Sequence, residues 1–250
     1  MTANNVCLLG VRIDRVDMAG ALEAIEEFVE SGSPHMVVTA DASAIVIAQR
    51  DEEFRRAISE ADLVTPDSAG ILLASKWYGS PLPEKVSGVD LAIELSSLAA
   101  RKGWPIFLLG AEPGVADLAA RSLRGRCEGL HIAGTYHGYF EDDDEVVRRV
   151  AASGARILFV AMGIPKQEMW IARHLDRLGV GVAIGVGGTF DVLSGRVSRA
   201  PDWMRRHGLE WAHRLASNPR KIGKVMTLPR FLWLVIVDRL FGKHRGWEVR

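Results

Sequence analysis

The stretch Arg156-Ile157-Leu158-Phe159-Val160-Ala161-Met162-Gly163-Ile164-Pro165-Lys166-Gln167-Glu168-Met169-Trp170 decides the fold class of this 250-residue chain. From Ile157 to Ala161 it is apolar without alternation, as in a strand covered on both faces. A glycine breaks the run. Pro165 then suits the first turn of a helix, and Gln167 and Glu168 fall in that turn, where polar side chains either cap the helix or bind a ligand hydroxyl. Strand, turn and helix therefore follow one another within a few residues.

The same unit recurs on both sides. Further apolar runs at 6–13, 35–39, 63–65, 105–109, 130–133 and 180–186 predict strands. Amphipathic stretches at 18–30, 69–77, 89–101, 115–123, 143–152 and 166–178 predict helices. Gly32 and Gly103 serve as stops, and Ser87 is a plausible N-cap with Asp90 three residues on. This alternation reads as an α/β domain with a mostly parallel sheet over residues 1–195. Beyond it the character changes. Pro201 opens a helix-rich segment in which Trp203, Trp211, Trp233 and Trp247 lie among many arginines, so 196–250 reads as a helical appendage.

The chain has 31 Lys and Arg against 31 Asp and Glu, and a mean hydropathy of +0.08. That composition excludes a disordered or collagen-like chain, and neutrality argues against a nucleic-acid partner. The zero hides a split: residues 1–195 carry 18 basic and 27 acidic side chains, a net of −9, whereas 196–250 carry 13 and 4, a net of +9. A basic tail of this kind suits an anionic surface or pairs with the acidic body. No signal peptide is visible at Met1–Gly10, and the apolar stretch at 231–237 is much shorter than the roughly 20 residues of a membrane span. Cys7 and Cys127 are isolated and form neither a disulfide framework nor a zinc site, which points to a reducing, cytoplasmic compartment.

Ligands of open α/β sheets bind at the carboxyl ends of the strands. Four strand ends here carry polar or glycine clusters: Thr39-Ala40-Asp41-Ala42-Ser43, Thr65-Pro66-Asp67-Ser68-Ala69-Gly70, Gly110-Ala111-Glu112-Pro113-Gly114 and Gly185-Val186-Gly187-Gly188-Thr189-Phe190-Asp191. Glycines that start helices offer backbone N–H groups to phosphate oxygens, and four such ends together favour a phosphate-bearing ligand. None is a GxGxxG fingerprint or a P-loop, which argues against a dinucleotide oxidoreductase. Asp67 is the best candidate acid or base, although its local sequence favours its capping the helix at 69–77, and Asp41 has the same ambiguity. The triple Asp142-Asp143-Asp144 reads as helix N-terminal acids rather than a metal site.

In combination these segments resemble the WecG/TagA/CpsF family of bacterial glycosyltransferases, glycosyltransferase family 26. The resemblance spans nearly the whole chain. It is carried by Gly163-Ile-Pro-Lys-Gln-Glu-Met-Trp170, by Gly185-Val-Gly-Gly-Thr-Phe-Asp191, and by Arg199-Ala-Pro201 running on to Gly208-Leu-Glu-Trp211 and Arg214. The Thr39 segment, Asp67 and Ser87-Gly88-Val89-Asp90 fall in the family's order.

The resemblance implies a Rossmann-like α/β core with a C-terminal helical appendage. It implies inverting, metal-independent transfer of a hexose, such as N-acetylmannosamine or its uronic acid, from a UDP-sugar to a polyprenyl-diphosphate-linked sugar. The pathway would be cell-surface or exopolysaccharide synthesis. Asp67 falls at the family's proposed catalytic base, and Thr39 and Gln167 at sugar-nucleotide positions. Asp41 stands where many members have Asn, and Ser68 where many have Gly. The remaining candidates for substrate binding are Asp41, Lys85, Gly88, Asp90, Gly110, Gly163, Glu168, Gly187, Gly188, Phe190, Asp191 and Arg199, with Lys85 and Arg199 as the cations. Arg205, Arg206, Arg214, Arg220, Lys221, Lys224 and Arg230 would meet the acceptor diphosphate or an anionic inner-membrane surface, each worth about 1 kcal/mol near such a leaflet. No cofactor is expected, and a homo-oligomer is left open. The competing expectation is a non-catalytic nucleotide-sugar-binding or scaffold subunit.

Overall fold

A computed structural model describes residues 5–201, 203–204 and 227–242. Its centre is a six-stranded, wholly parallel sheet of β3 (His35–Ala40), β4 (Leu63–Pro66), β5 (Ile106–Gly110), β6 (Ile132–Tyr136), β7 (Ile157–Ala161) and β8 (Val182–Gly185), in the spatial order β4-β3-β8-β7-β5-β6. The last strand in sequence, β8, thus lies between β3 and β7 near the middle.

Both faces of the sheet are covered, which accounts for the unbroken apolar runs. Along β7, Leu158 and Val160 join one core, while Ile157, Phe159 and Ala161 join the other. The second core is closed by α1 (Met18–Ser31), α5 (Gly88–Lys102), α6 (Val115–Arg126) and α9 (Thr189–Leu193). The first is closed by α2 (Ala42–Ala48), α3 (Glu52–Ser59), α4 (Ala69–Trp77), α7 (Asp143–Ala152) and α8 (Lys166–His174), together with a C-terminal helix, α10 (Thr227–Phe241). Full burial of side chains such as Phe54, Phe107 and Phe159 contributes about 1.5–3 kcal/mol each.

The apolar run at 6–13 is not one strand. It is an antiparallel hairpin of β1 (Asn5–Leu8) and β2 (Val11–Asp14), turned at Leu9 and Gly10, both in the left-handed region. Leu9 is buried, so its side chain continues the apolar run through the turn and hides it from a pattern reading. The expected helix at 166–178 ends at His174 and passes into a 3₁₀ turn, Leu175–Arg177. Asp142 caps α7, Asp143 accepts from the Trp170 indole N–H (3.0 Å), and Asp144 pairs with Arg177 (2.6 Å), as helix N-terminal acids do.

Helix α10 belongs to the body of the molecule. Phe231 and Val235 are fully buried among α2 and α4 residues, Ser43 and Thr227 hydroxyls meet at 3.0 Å, Tyr78 donates to Asp238, and Arg239 donates to the Trp77 carbonyl. Its opposite side is also apolar: Trp233 is 65% exposed and Leu240 70% exposed, with Ile236 between them. No helix among the described residues is long and apolar enough to cross a membrane.

Candidate active site

The carboxyl ends of β4, β3, β8 and β7 open into a cleft lined by Thr39, Asp41, Asp67, Gln167, Gly187 and Arg199, among others. The neighbours of Asp67 decide its role. Ser68, not Asp67, caps α4, its hydroxyl accepting from the Ile71 N–H at 3.3 Å. The Asp67 backbone N–H donates to the Ala40 carbonyl (2.8 Å), which ties it to the end of β3. Its carboxylate Oδ2 accepts from the Gly88 N–H (3.2 Å), at the start of α5.

Asp41 does cap its helix: Oδ1 accepts from the Ser43 and Ala44 N–H groups at 2.8 and 3.0 Å, while the residue also lines the cleft. Thr39 is buried and donates to the Gly185 carbonyl (2.8 Å), bridging β3 to β8. Ser87 caps α5, and Asp90 accepts from both the Ser87 hydroxyl (2.6 Å) and the Arg199 guanidinium (2.6 Å). Arg199 is thereby held at the cleft rim while keeping other N–H groups for a ligand.

Gln167 sits in the floor. Its Oε1 accepts from the N–H groups of Gly163 (3.2 Å) and Gly187 (3.0 Å), which joins the β7 and β8 loops. Glu168 lies behind it, fully buried, and accepts from Gln167 Nε2 at 2.7 Å. Burial pushes its carboxyl up to about 7, with the Asp41 carboxylate adding to the shift. Glu168 therefore does not line the cleft; its carboxyl turns back on its own first-turn backbone N–H and on Gln167.

Thr39, Asp41, Asp67, Gln167, Gly187, Gly188 and Arg199 thus converge on one cleft, with Gly88 and Gly163 donating backbone N–H groups to its side chains and Asp90 bracing Arg199. Lys85 is half-buried outside the lining. Gly110, Phe190 and Asp191 do not reach it. Phe190 is fully buried in the core, because the short helix α9 turns that side inward. Asp191 supplies its backbone carbonyl to the Val197 N–H (3.0 Å). Gly110 abuts the Ala161 backbone. Sequence reading missed Ser87, Thr189 and Ser198 as lining residues; the signal was present, since each adjoins or sits within a quoted motif. Arg205, Arg206, Arg214, Arg220, Lys221 and Lys224 lie outside the described residues, and Arg230 is exposed on α10. Among the described residues no group of three or more His, Cys, Asp or Glu is arranged to hold a metal ion.

A family model described as "Glycosyl transferase WecG/TagA/CpsF family" matches residues 6–245. A Bacillus spizizenii protein named N-acetylglucosaminyldiphosphoundecaprenol N-acetyl-beta-D-mannosaminyltransferase is 33% identical over 209 residues, covering 84% of this chain and 81% of the relative. Proteins of the same name from Staphylococcus aureus (31% identical, 92% of this chain and 91% of the relative) and Bacillus subtilis (31% identical, 81% and 79%) are also similar.

Proposed function

The chain belongs to the WecG/TagA/CpsF family of glycosyltransferases, and on that premise we propose that it moves an N-acetylhexosamine from a UDP-sugar to a polyprenyl-diphosphate-linked sugar. The names of its relatives favour N-acetylmannosamine as the donor sugar and GlcNAc-diphosphoundecaprenol as the acceptor. The observation that carries the reading is the Asp67 carboxylate. It stands in the cleft with α4 already capped by Ser68 and with the Gly88 N–H fixing one oxygen. In the transfer, the acceptor hydroxyl attacks the anomeric carbon, its proton passes to Asp67, and the bond to the UDP oxygen breaks. The Gly188 backbone N–H and the Arg199 guanidinium take up the charge developing on the diphosphate, while the Gly187 N–H stays on Gln167.

The test is direct. Purified enzyme is incubated with a panel of UDP-sugars and a synthetic lipid-diphosphate GlcNAc, and the product is identified by mass spectrometry. UDP-N-acetylmannosamine is expected to give a disaccharide lipid; no product from any donor would end the reading. In this proposal the transfer runs without a metal. Dialysis against EDTA is therefore expected to leave the rate within twofold of the untreated enzyme, whereas loss of turnover restored by a divalent cation would refute that part.

The basic, apolar segment 196–250 is proposed to bring the 1–195 core to an anionic membrane face, at the cytoplasmic side where UDP-sugars are made. The exposed Trp233, Ile236 and Leu240 stripe on α10 and the +9 charge of the segment support this. Trp233→Glu combined with Leu240→Glu leaves the buried side of α10 intact. It is expected to weaken binding to anionic vesicles roughly tenfold or more, since each lost apolar insertion is worth about 1.5 kcal/mol or more. Co-sedimentation measures it; vesicle binding equal to wild type would remove α10 from the membrane role.

A further inference from the structure

Gln167 can take only one orientation. Its Oε1 faces two backbone N–H groups, those of Gly163 and Gly187, and a reversed amide would set its NH₂ against two donors. Nε2 must therefore point to Glu168, which has to be an acceptor. The space is closed from the β8 side by Gly185, where a Cβ would stand 2.7 Å from Gln167 Nε2 and 3.1 Å from Glu168 Oε1. Glu168 Oε2 is fully buried and makes no hydrogen bond to any other described residue. The contact with its own backbone N–H favours the charged form but is outweighed by burial, so holding the first turn of α8 does not by itself account for a carboxyl here.

We propose that Glu168 is a positioning residue of the donor site: its Oε1 fixes the Gln167 amide, and through it the Gly163 and Gly187 loops, in the arrangement that receives a nucleoside diphosphate. This rests on the transferase reading of the cleft. The group is also poised to report pH. Its carboxyl titrates at about 7 because it is buried, and Asp41, at the end of β3, is the charged neighbour acting on it. The packed strands β7 and β8 present only apolar residues and glycine, and the α3 carboxylate Glu53 pairs with Arg173 instead (3.2 Å). Below pH 7 Glu168 is neutral and serves as acceptor without charge. Above pH 7 it ionises and sets a second negative charge beside Asp41, under a site that must hold an anionic diphosphate. Donor affinity is thus expected to fall as pH rises through about 7.

The test compares wild type, Glu168→Gln and Glu168→Met from pH 6 to 8.5. UDP affinity is read by calorimetry, and kcat and KM for the UDP-sugar by product formation. Gln keeps an acceptor oxygen and cannot ionise; Met keeps the length without the acceptor. Wild type is expected to lose affinity roughly tenfold between pH 6.5 and 8.5. Glu168→Gln should bind as wild type does at low pH and lack this loss. Glu168→Met should bind UDP roughly tenfold more weakly at every pH, with KM rising more than kcat falls. Titration of UDP's own terminal phosphate is common to all three proteins and cancels in the comparison. The proposal is overturned if Glu168→Gln follows the wild-type pH profile, or if Glu168→Met binds UDP as wild type does. Should the Met variant not fold, the Gln comparison decides alone. If wild type binds no UDP at any pH, the donor-site reading falls and the inference with it.

Discussion

Asp67→Asn is expected to lower kcat roughly 10²–10⁴-fold, the usual range for a lost general base, while UDP affinity and the thermal midpoint stay at wild-type values. The substitution suits the question because an asparagine Oδ1 can still accept from the Gly88 N–H, and because Ser68 holds the start of α4 without help from Asp67. The Gly88 contact and the α4 cap are therefore preserved while the ability to take a proton is removed. Single-turnover transfer from the UDP-sugar, with UDP binding measured in parallel, separates the two effects. A kcat within threefold of wild type would move the base elsewhere in the cleft.

The largest effect on stability is expected at Gly110. This residue closes β5 with φ near +135°, and an added Cβ would stand 2.4 Å from the Ala161 carbonyl oxygen and 2.5 and 2.7 Å from its carbonyl carbon and nitrogen. Those are backbone atoms of β7, in register with Gly110 across the sheet, so no flexible side chain can yield. Gly110→Ala combines overpacking, about 1–3 kcal/mol, with a backbone conformation that costs a non-glycine residue about as much again. A loss of about 3 kcal/mol or more is expected in urea denaturation, with the m-value retained. A loss under 1 kcal/mol would mean that β5 and β7 can part more easily than their pairing implies. The expectation that Gly110 binds phosphate came from its place at a strand end; the nearness of β7 explains the glycine without a ligand.

Which features were readable from sequence follows from how local their causes are. Strand β7 was legible because burial on both faces writes itself as a continuous apolar run, and Ser87 was legible as a cap from its own spacing. Helix α2 was not, because its residues Ala42, Ala44, Ile45, Val46 and Ala48 are buried nearly all round and leave no polar face to set a period. Asp67 reads as the cap of the helix at 69–77, yet Ser68 takes that place and the Asp67 carboxylate turns to Gly88, 21 residues on at the start of α5. Glu168 reads as polar in a first turn, yet its surroundings include Gly185 of a different strand. The convergence of Thr39, Asp67, Gln167 and Gly187 is likewise a product of strand order, which no local pattern encodes.

The position of β8 bears on how the enzyme comes into being. As the chain leaves the ribosome, β3 and β4 can pair early, and β5, β6 and β7 can assemble as a second group. Each then presents an open edge, because the strand that joins them, Val182–Gly185, has yet to appear. Pairings this distant in sequence are slow to form. Until β8 slots in as the keystone, Thr39 has no Gly185 carbonyl to hold and Gln167 has no Gly187 to grip. A nascent chain interrupted before residue 182 would therefore lack the assembled cleft and leave the edges of β3 and β7 open to other strands.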